Sequence, residues 1–117
     1  MNTITATEFD ALLALHSKFR RGKRGGKRLV LNGYDLRGCI LAGKCLAGAD
    51  LSGCNLAGAN LWLADFQDAN LSGCNLASAN LTSANLYLTN LDGADLDGAN
   101  LTRATFFDIT RVDINTL

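Results

Sequence analysis

The sequence predicts an all-β solenoid with a short α-helical cap at its N-terminus, and three observations lead to this fold class. Leucine or phenylalanine recurs at every fifth position through sixteen consecutive units. In twelve units alanine or cysteine stands two positions earlier, and in twelve units asparagine or aspartate stands one position earlier. A period of five matches neither an α-helix nor a β-strand, so the chain must wind as repeat architectures do. The repeat centres are Leu31, Leu36, Leu41, Leu46, Leu51, Leu56, Leu61, Phe66, Leu71, Leu76, Leu81, Leu86, Leu91, Leu96, Leu101 and Phe106.

Each unit combines an extended half with a turn. The small residue and the large centre, two positions apart, point to the same side of an extended chain, while the asparagine or aspartate between them points outward. Glycine fills the fifth position in nine of the sixteen units, as is typical where φ becomes positive or the backbone bends tightly. The units therefore predict an apolar core surrounded by polar side chains.

These units resemble the repeats of the pentapeptide-repeat proteins, as the segments at 49–53 (ADLSG), 59–61 (ANL) and 69–73 (ANLSG) illustrate. The resemblance covers residues 29–108. It implies a right-handed quadrilateral β-helix of about four coils, with four units in each coil. Residues 20 apart would then stack in columns. Two columns are notable: Leu46, Phe66, Leu86 and Phe106 in the core, and Asn60, Asn80 and Asn100 outside, where an amide ladder is expected.

The four cysteines fit the repeat better than a metal or redox site, because their spacings match no common motif of either kind. Cys54 and Cys74 share a column, Cys39 fills another small position, and Cys45 takes an outward one. We expect free thiols that act as small apolar side chains in a reducing environment. A Cys54–Cys74 disulfide is the alternative. No metal and no cofactor is expected.

Residues 1–28 are predicted to form an amphipathic helix followed by a basic, glycine-rich turn. Thr7 is a plausible N-cap, with acidic residues in the first turn. Apolar residues at helical spacing over 8–20 define one face that would cover the open end of the solenoid. That face consists of Phe9, Leu12, Leu13, His16 and Phe19. His16 is the only histidine of the chain, and we interpret it as a packing or capping residue rather than a catalytic base.

Basic side chains are concentrated in residues 18–28, which hold seven of the eleven lysines and arginines. This segment is either a solvated linker that partly neutralises an acidic solenoid or a contact for nucleic acid or an anionic membrane surface. We favour the linker, because a single aromatic residue interleaves the charges and no nucleic-acid motif accompanies them. The candidate anion contacts are Arg20, Arg21, Lys23, Arg24, Lys27 and Arg28.

The repeat loses its phase near the C-terminus, because the position five residues after Phe106 is Arg111. The apolar pattern resumes out of phase in residues 109–117. We expect this segment either to cap the solenoid or to meet a second copy. Related pentapeptide-repeat proteins often form dimers at this end, and the resemblance thus implies a homodimer.

The predicted surface holds no catalytic constellation, so the protein is not expected to be an enzyme. Two surface features depart from the repeat. Asp92, Asp95, Asp97 and Asp108 gather on the last coil. Large apolar residues replace small ones in two turns, and with a residue from the same column as Tyr87 they form a candidate partner patch: Trp62, Leu63, Tyr87, Leu88 and Phe107.

The sequence therefore favours a non-enzymatic interaction or scaffold protein whose partner is unknown. No export signal and no membrane span is recognised, so we expect a cytoplasmic protein. The resemblance also implies an alternative, a DNA mimic that inhibits or protects DNA gyrase. Residues 1–28 carry seven basic and two acidic side chains, and the remainder four basic and nine acidic. The basic N-terminal part weakens the mimic hypothesis, which a supercoiling assay with purified gyrase would test.

Overall fold

The structure, a computed structural model, describes residues 1–106. Its elements are β1 (Asn2–Thr3), α1 (Ala6–Arg20), β2 (Tyr34–Asp35), β3 (Asn85–Leu86) and β4 (Thr105–Phe106). Between residues 29 and 106 the chain is a succession of turns joined by short parallel bridges. The strands are short because two of the five residues in each unit form a turn.

Parallel pairing between residues 20 apart organises the repeats. Asp50 pairs with Asn70, and β3 pairs with β4 in the same register. The hydrogen bonds alternate across each pair: the N–H of Leu51 donates to the carbonyl of Asn70 at 2.9 Å, and the N–H of Asn70 donates to the carbonyl of Ala49 at 2.9 Å. Twenty residues are four units, so each unit stacks on the unit four places further along.

A tight turn closes each unit. The N–H of Cys54, for example, donates to the carbonyl of Leu51 at 3.2 Å. The fifth residue of the unit has a positive φ at fourteen of the fifteen such positions in the described chain, the exception being Gly38. One positive φ at the third residue of a turn is characteristic of type II. Six of the fourteen are not glycine: Leu63, Asp68, Ser78, Ser83, Leu88 and Arg103.

The outward asparagines and aspartates hold the turns from outside. In all twelve units that have one, its side-chain oxygen accepts a hydrogen bond from the main-chain N–H two residues later, at 3.0–3.2 Å. This Asx interaction favours turn formation. The expected ladder contact is seen where Asn80 donates to Asn60 at 3.3 Å. The Asx hydrogen bond to the main chain occurs in all twelve units, whereas the amide ladder between coils does not.

The repeat centres and the small residues fill one apolar core. Fourteen of the sixteen centres are buried, and Leu101 and Phe106, at the end of the described range, are partly exposed. The buried alanines that stand two positions before a centre belong to the same cluster as Cys54 and Cys74: Ala49, Ala64, Ala69, Ala79 and Ala84. The core therefore runs along the axis of the solenoid.

Helix α1 begins two residues before the predicted position. Thr5, not Thr7, is the N-cap: its hydroxyl accepts from the N–H of Glu8, and the Glu8 carboxylate accepts from the N–H of Thr5, both at 3.1 Å. Thr7 was the wrong choice because only Thr5 has a glutamate three residues later to complete this capping box.

One face of α1 packs on the first units. Phe9 and His16 are fully buried, and Leu12 and Leu13 are partly buried against the core. Phe19 differs from the other predicted members of this face, because it is 49% exposed and stacks on the ring of His16. The preceding turns of α1 already cover the core, so Phe19, near the end of the helix, lies beyond the edge of the core.

Strand β1 was not predicted. It pairs in parallel with β2, matching Asn2 to Tyr34 and Thr3 to Asp35. It therefore adds a strand to the edge of the first coil, which would otherwise expose unpaired main-chain groups. The predicted segment 109–117 lies outside the described residues.

Candidate functional site

Two turns carry large apolar side chains where other units have small ones. Trp62 and Leu63 follow the centre Leu61, and Tyr87 and Leu88 follow Leu86. Their side chains are 48%, 47%, 40% and 47% exposed in that order. We call these four residues the corner patch. Phe107, the fifth predicted member, lies outside the described residues.

Both leucines of the corner patch have an unfavourable backbone conformation. Leu63 has φ 58° and Leu88 has φ 59°. In this left-handed region the Cβ of an L-residue crowds its own backbone, at a cost of about 1 kcal/mol. Eight other units have a glycine with positive φ at this position. About half of each leucine side chain remains exposed to solvent.

Main-chain hydrogen bonds hold the two corners in place. The Trp62 carbonyl accepts from the N–H of Gly43 at 2.8 Å, and the Leu63 N–H donates to Thr82 at 3.1 Å. The Tyr87 carbonyl accepts from the N–H of Asp68 at 3.1 Å. The corner patch therefore presents two aromatic side chains from a backbone tied to the neighbouring coils.

The basic segment is a folded loop. The N–H of Lys23 donates to the carbonyl of Lys18 at 2.8 Å, and the N–H of Lys27 donates to the carbonyl of Leu15 at 3.0 Å. Gly26 lies directly against the helix, where a Cβ would overlap the main chain of Phe19. The loop is thus folded back onto the end of α1.

The cations of residues 18–28, which we call the basic end, form no ion pair within residues 1–106. The pKa of Asp50 is lowered by a hydrogen bond from Asn32 and also by the charge of Arg28. All seven cations are exposed, and the ion pair found within residues 1–106 joins Arg37 to Asp35 at 2.8 Å. Arg20 donates instead to the Cys45 sulfur at 2.8 Å, and Arg28 donates to the Gly48 carbonyl at 2.6 Å. These contacts orient two side chains without neutralising them. The predicted contacts Arg20, Arg21, Lys23, Arg24, Lys27 and Arg28 thus share one exposed loop and the helix end preceding it.

His16 has a structural environment. Its ring lies within the interface between α1 and the repeats, where Nε2 is 2.8 Å from the Ala47 carbonyl oxygen and Nδ1 accepts from the N–H of Leu29 at 2.9 Å. Burial lowers the pKa of His16, while the Ala47 contact opposes this and Arg20 and Arg28 reinforce it. Both ring nitrogens are occupied, so the ring offers no free atom for proton transfer to a substrate.

The four cysteines are free thiols in the structure. Cys54 donates to the carbonyl of Leu31 at 2.9 Å, and Cys74 donates to that of Leu51 at 3.0 Å. Burial raises the pKa of Cys54 to about 11 and that of Cys74 to about 12. Cys39 is partly buried and Cys45 is exposed. The two buried thiols therefore stay protonated and unreactive.

Other surface features do not form a reactive site. Asp92, Asp95 and Asp97 are exposed on the last described coil, and Asp108 lies outside the described residues. Within residues 1–106 no group of histidine, cysteine or acidic residues is arranged to hold a metal ion. No helix of that part is long and apolar enough to cross a membrane. A cavity of about 380 Å³ opens between β1, α1 and the first coil, lined by Thr3, Ile4, Glu8, Ala11, Leu12, Leu31 and Tyr34.

Stacked five-residue units with an apolar core and Asx-bonded turns define a β-helical repeat protein. The family model described as "Pentapeptide repeats" matches eight copies, over residues 45–82 and 69–106. These matches cover more than half of the chain, which therefore belongs to the pentapeptide-repeat family. Membership implies a right-handed β-helix, and proteins of this family are generally structural or interaction modules.

Several solved structures are similar to this chain. A pentapeptide repeat protein from the Arabidopsis thaliana thylakoid lumen is 32% identical, with 68% of this chain and 59% of that chain covered and a TM-score of 0.36. A pentapeptide repeat protein from Nostoc PCC 7120 is 29% identical, with 93% and 92% covered and a TM-score of 0.43. QnrB1, a plasmid-mediated fluoroquinolone resistance protein, is 14% identical, with 69% and 52% covered and a TM-score of 0.27. No curated protein sequence matches.

Proposed function

We propose that this protein is a non-enzymatic interaction module of the cytoplasm that binds another protein through the corner patch. The observation that carries the proposal is the positive φ of Leu63 and Leu88, combined with their half-exposed side chains. A leucine in this conformation carries a backbone cost, and about half of each side chain is left exposed to solvent, where a partner could cover it. Four other non-glycine residues have the same positive φ, so the exposed apolar side chains are what distinguish these two corners.

The aromatic neighbours supply the binding chemistry. Tryptophan and tyrosine are enriched among the residues that dominate the energetics of protein interfaces. Trp62 is 48% exposed and Tyr87 is 40% exposed, so both retain apolar area that a partner could cover. Because the main chain at each corner is hydrogen-bonded to adjacent coils, ordering the patch on binding would cost little entropy.

Affinity capture from native lysate with the full chain tests this function. We expect one specific partner to be retained by the wild type and lost from Trp62→Ser/Tyr87→Ser. Leu63→Gly/Leu88→Gly should also lose affinity, while its melting temperature stays equal or rises because the backbone strain is relieved. Binding of the captured protein, once purified, is then measured directly with each variant.

A matched control separates partner binding from backbone effects. Ser78→Gly/Ser83→Gly makes the same change at two turns with positive φ that lie outside the corner patch, and it should bind the partner like the wild type. Equal binding by the wild type and both corner-patch variants would overturn the proposal.

We also propose a homodimer through residues 109–117. The support is compositional: this segment holds Ile109, Val112, Ile114 and Leu117 among only nine residues. Light scattering at tens of micromolar protein tests it. A dimer that becomes a monomer in the double variant Val112→Ser/Ile114→Ser is expected, and a monomeric wild type would remove the idea.

A further inference from the structure

We propose that the basic end binds single-stranded nucleic acid, with its cations on the phosphates and the ring of Phe19 stacked on a base. This surface and this partner are different from those of the proposed protein interaction. The inference rests on the charge, the order and the aromatic content of the basic end.

The charge of the basic end is concentrated, and no ion pair of the described chain neutralises it. Seven exposed cations occur in eleven residues, and none forms an ion pair within the described chain. Main-chain hydrogen bonds from Lys23 and Lys27 fold the loop and keep these like charges close together. Such an arrangement costs electrostatic energy that a polyanion would recover, with release of the counterions condensed on it.

Phe19 provides an aromatic surface among these cations. Its side chain is 49% exposed and lies between Lys18 and Arg20 in the sequence. The His16 ring stacks against it, with centroids 6.1 Å apart and an interplanar angle of 23°. Because His16 is itself fixed by two hydrogen bonds, the platform is rigid. A positive surface with an exposed aromatic ring is the usual means of binding single strands without sequence preference.

A membrane surface fits this end less well. Peripheral helices insert an apolar face into the lipid, but Phe9 of α1 is fully buried, and Leu12 and Leu13 pack against the core. Residues 20–28 consist only of arginine, lysine and glycine, so they offer no apolar side chain to a membrane.

The exposed Asp92, Asp95 and Asp97, three coils away, would repel a polyanion. Binding is thus expected at the basic end rather than along the solenoid.

Fluorescence anisotropy of the full chain with a labelled oligothymidylate of about a dozen nucleotides tests the proposal. We expect binding that weakens steeply between about 50 and 200 mM salt. Lys23→Gln/Arg24→Gln/Lys27→Gln should weaken it and reduce the slope of log K against log salt by about 2. Phe19→Leu, which retains an apolar side chain, should lower affinity on the order of tenfold through loss of stacking.

Matched variants distinguish the basic end from charge in general. Arg24→Gln and Arg103→Gln each remove one exposed cation, and only the first should weaken binding. Trp62→Ser/Tyr87→Ser should bind the oligonucleotide like the wild type, which separates this inference from the proposed protein interaction. Thermal melts of each variant confirm that it is folded.

Three results would overturn the inference. The first is no binding of the oligonucleotide at about 50 mM salt. The second is equal binding by the wild type and the triple variant. The third is binding of phosphatidylserine vesicles without binding of the oligonucleotide, which would identify the basic end as a membrane contact. A duplex of the same length should bind more weakly than the single strand. The stacking arrangement would be contradicted if duplex and single strand bound equally and Phe19→Leu had the same affinity as the wild type.

Discussion

The main-chain N–H of Leu29 donates a hydrogen bond to Nδ1 of His16 at 2.9 Å, and this contact fixes the protonation state of the ring. An atom that accepts this bond cannot carry a proton. The ring proton therefore lies on Nε2, which donates to the carbonyl of Ala47 at 2.8 Å. The neutral ring thus joins α1 to residues 29 and 47, and a second proton on the ring would abolish the contact with Leu29.

The stability of the protein should consequently fall in mildly acidic solution. Burial lowers the pKa of His16 below its ordinary value of 6.5, so below this pH the unfolded chain binds a proton that the folded chain does not. The free energy of unfolding then decreases with falling pH, by at most about 1.4 kcal/mol per pH unit. Urea denaturation at about pH 7.5 and 5.5 measures this decrease.

His16→Gln is the control, because it removes the titrating group and should flatten the dependence over the same range. The carboxyl groups of residues 1–106 whose pKa is shifted, those of Glu8, Asp35 and Asp50, all have a lowered pKa and do not account for a change in this range. The hydrogen bond from Arg37 lowers the pKa of Asp35 to about 2, so that contribution is lost only at much lower pH. Equal slopes for the wild type and His16→Gln would contradict the assigned role of the ring.

The periodic part of the structure could be predicted because one physical requirement repeats. Each unit must place a large side chain inside and then turn, so Leu51 and its fifteen buried or partly buried counterparts at five-residue spacing are visible in the sequence. The exposure of Trp62 and Tyr87 follows from the same register. Five-residue spacing alone does not say which units stack on one another. That depends on the pairing of residues 20 apart, which the family resemblance implied.

The features that were missed depend on interactions without a periodic signal. The pairing of β1 with Tyr34–Asp35 joins segments more than thirty residues apart, and the β-branched residues Thr3 and Ile4 were its only sign. The folding of the basic loop depends on the close approach of Gly26 to Phe19. Leucine itself disfavours a positive φ, so the positive φ of Leu63 and Leu88 is set by their place as the fifth residue of the unit and not by their residue type.

Two glycines in one column should respond in opposite directions to alanine. Gly58 has φ +67°, whereas Gly38 is not in the left-handed region. Nothing lies within 4 Å of a Cβ built on either residue. Gly58→Ala should therefore destabilise the protein by about 1 kcal/mol through backbone strain alone, and Gly38→Ala should stabilise it by about 0.5 kcal/mol through lower entropy of the unfolded chain.

Chemical denaturation of the two glycine variants checks the difference. The pair is well matched, because both residues occupy the fifth position of the unit and neither substitution creates a steric contact. A loss of stability in Gly38→Ala as large as that in Gly58→Ala would show that the backbone at residue 38 adopts the left-handed conformation in solution.

Asn60 allows the Asx interaction to be separated from side-chain size. Its Oδ1 accepts from the N–H of Trp62 at 3.2 Å and from the side-chain amide of Asn80 at 3.3 Å. Asn60→Ala loses both bonds and should reduce the free energy of unfolding by about 1 kcal/mol. Asn60→Asp keeps the acceptor and should cost less than about 0.5 kcal/mol. Equal losses in the two variants would mean that the acceptor oxygen contributes nothing.

The four thiols should differ in reactivity according to their burial and pKa. A disulfide reagent at neutral pH should modify the exposed Cys45 in the native protein, and Cys45→Ser should lose that reaction. Cys54 and Cys74 should stay unmodified, because burial raises their pKa values to about 11 and about 12 and keeps them out of reach of the reagent. In denaturant, without any reductant, all four should react. A total of two, from Cys39 and Cys45, would reveal the Cys54–Cys74 disulfide in place of the two separate hydrogen bonds to Leu31 and Leu51.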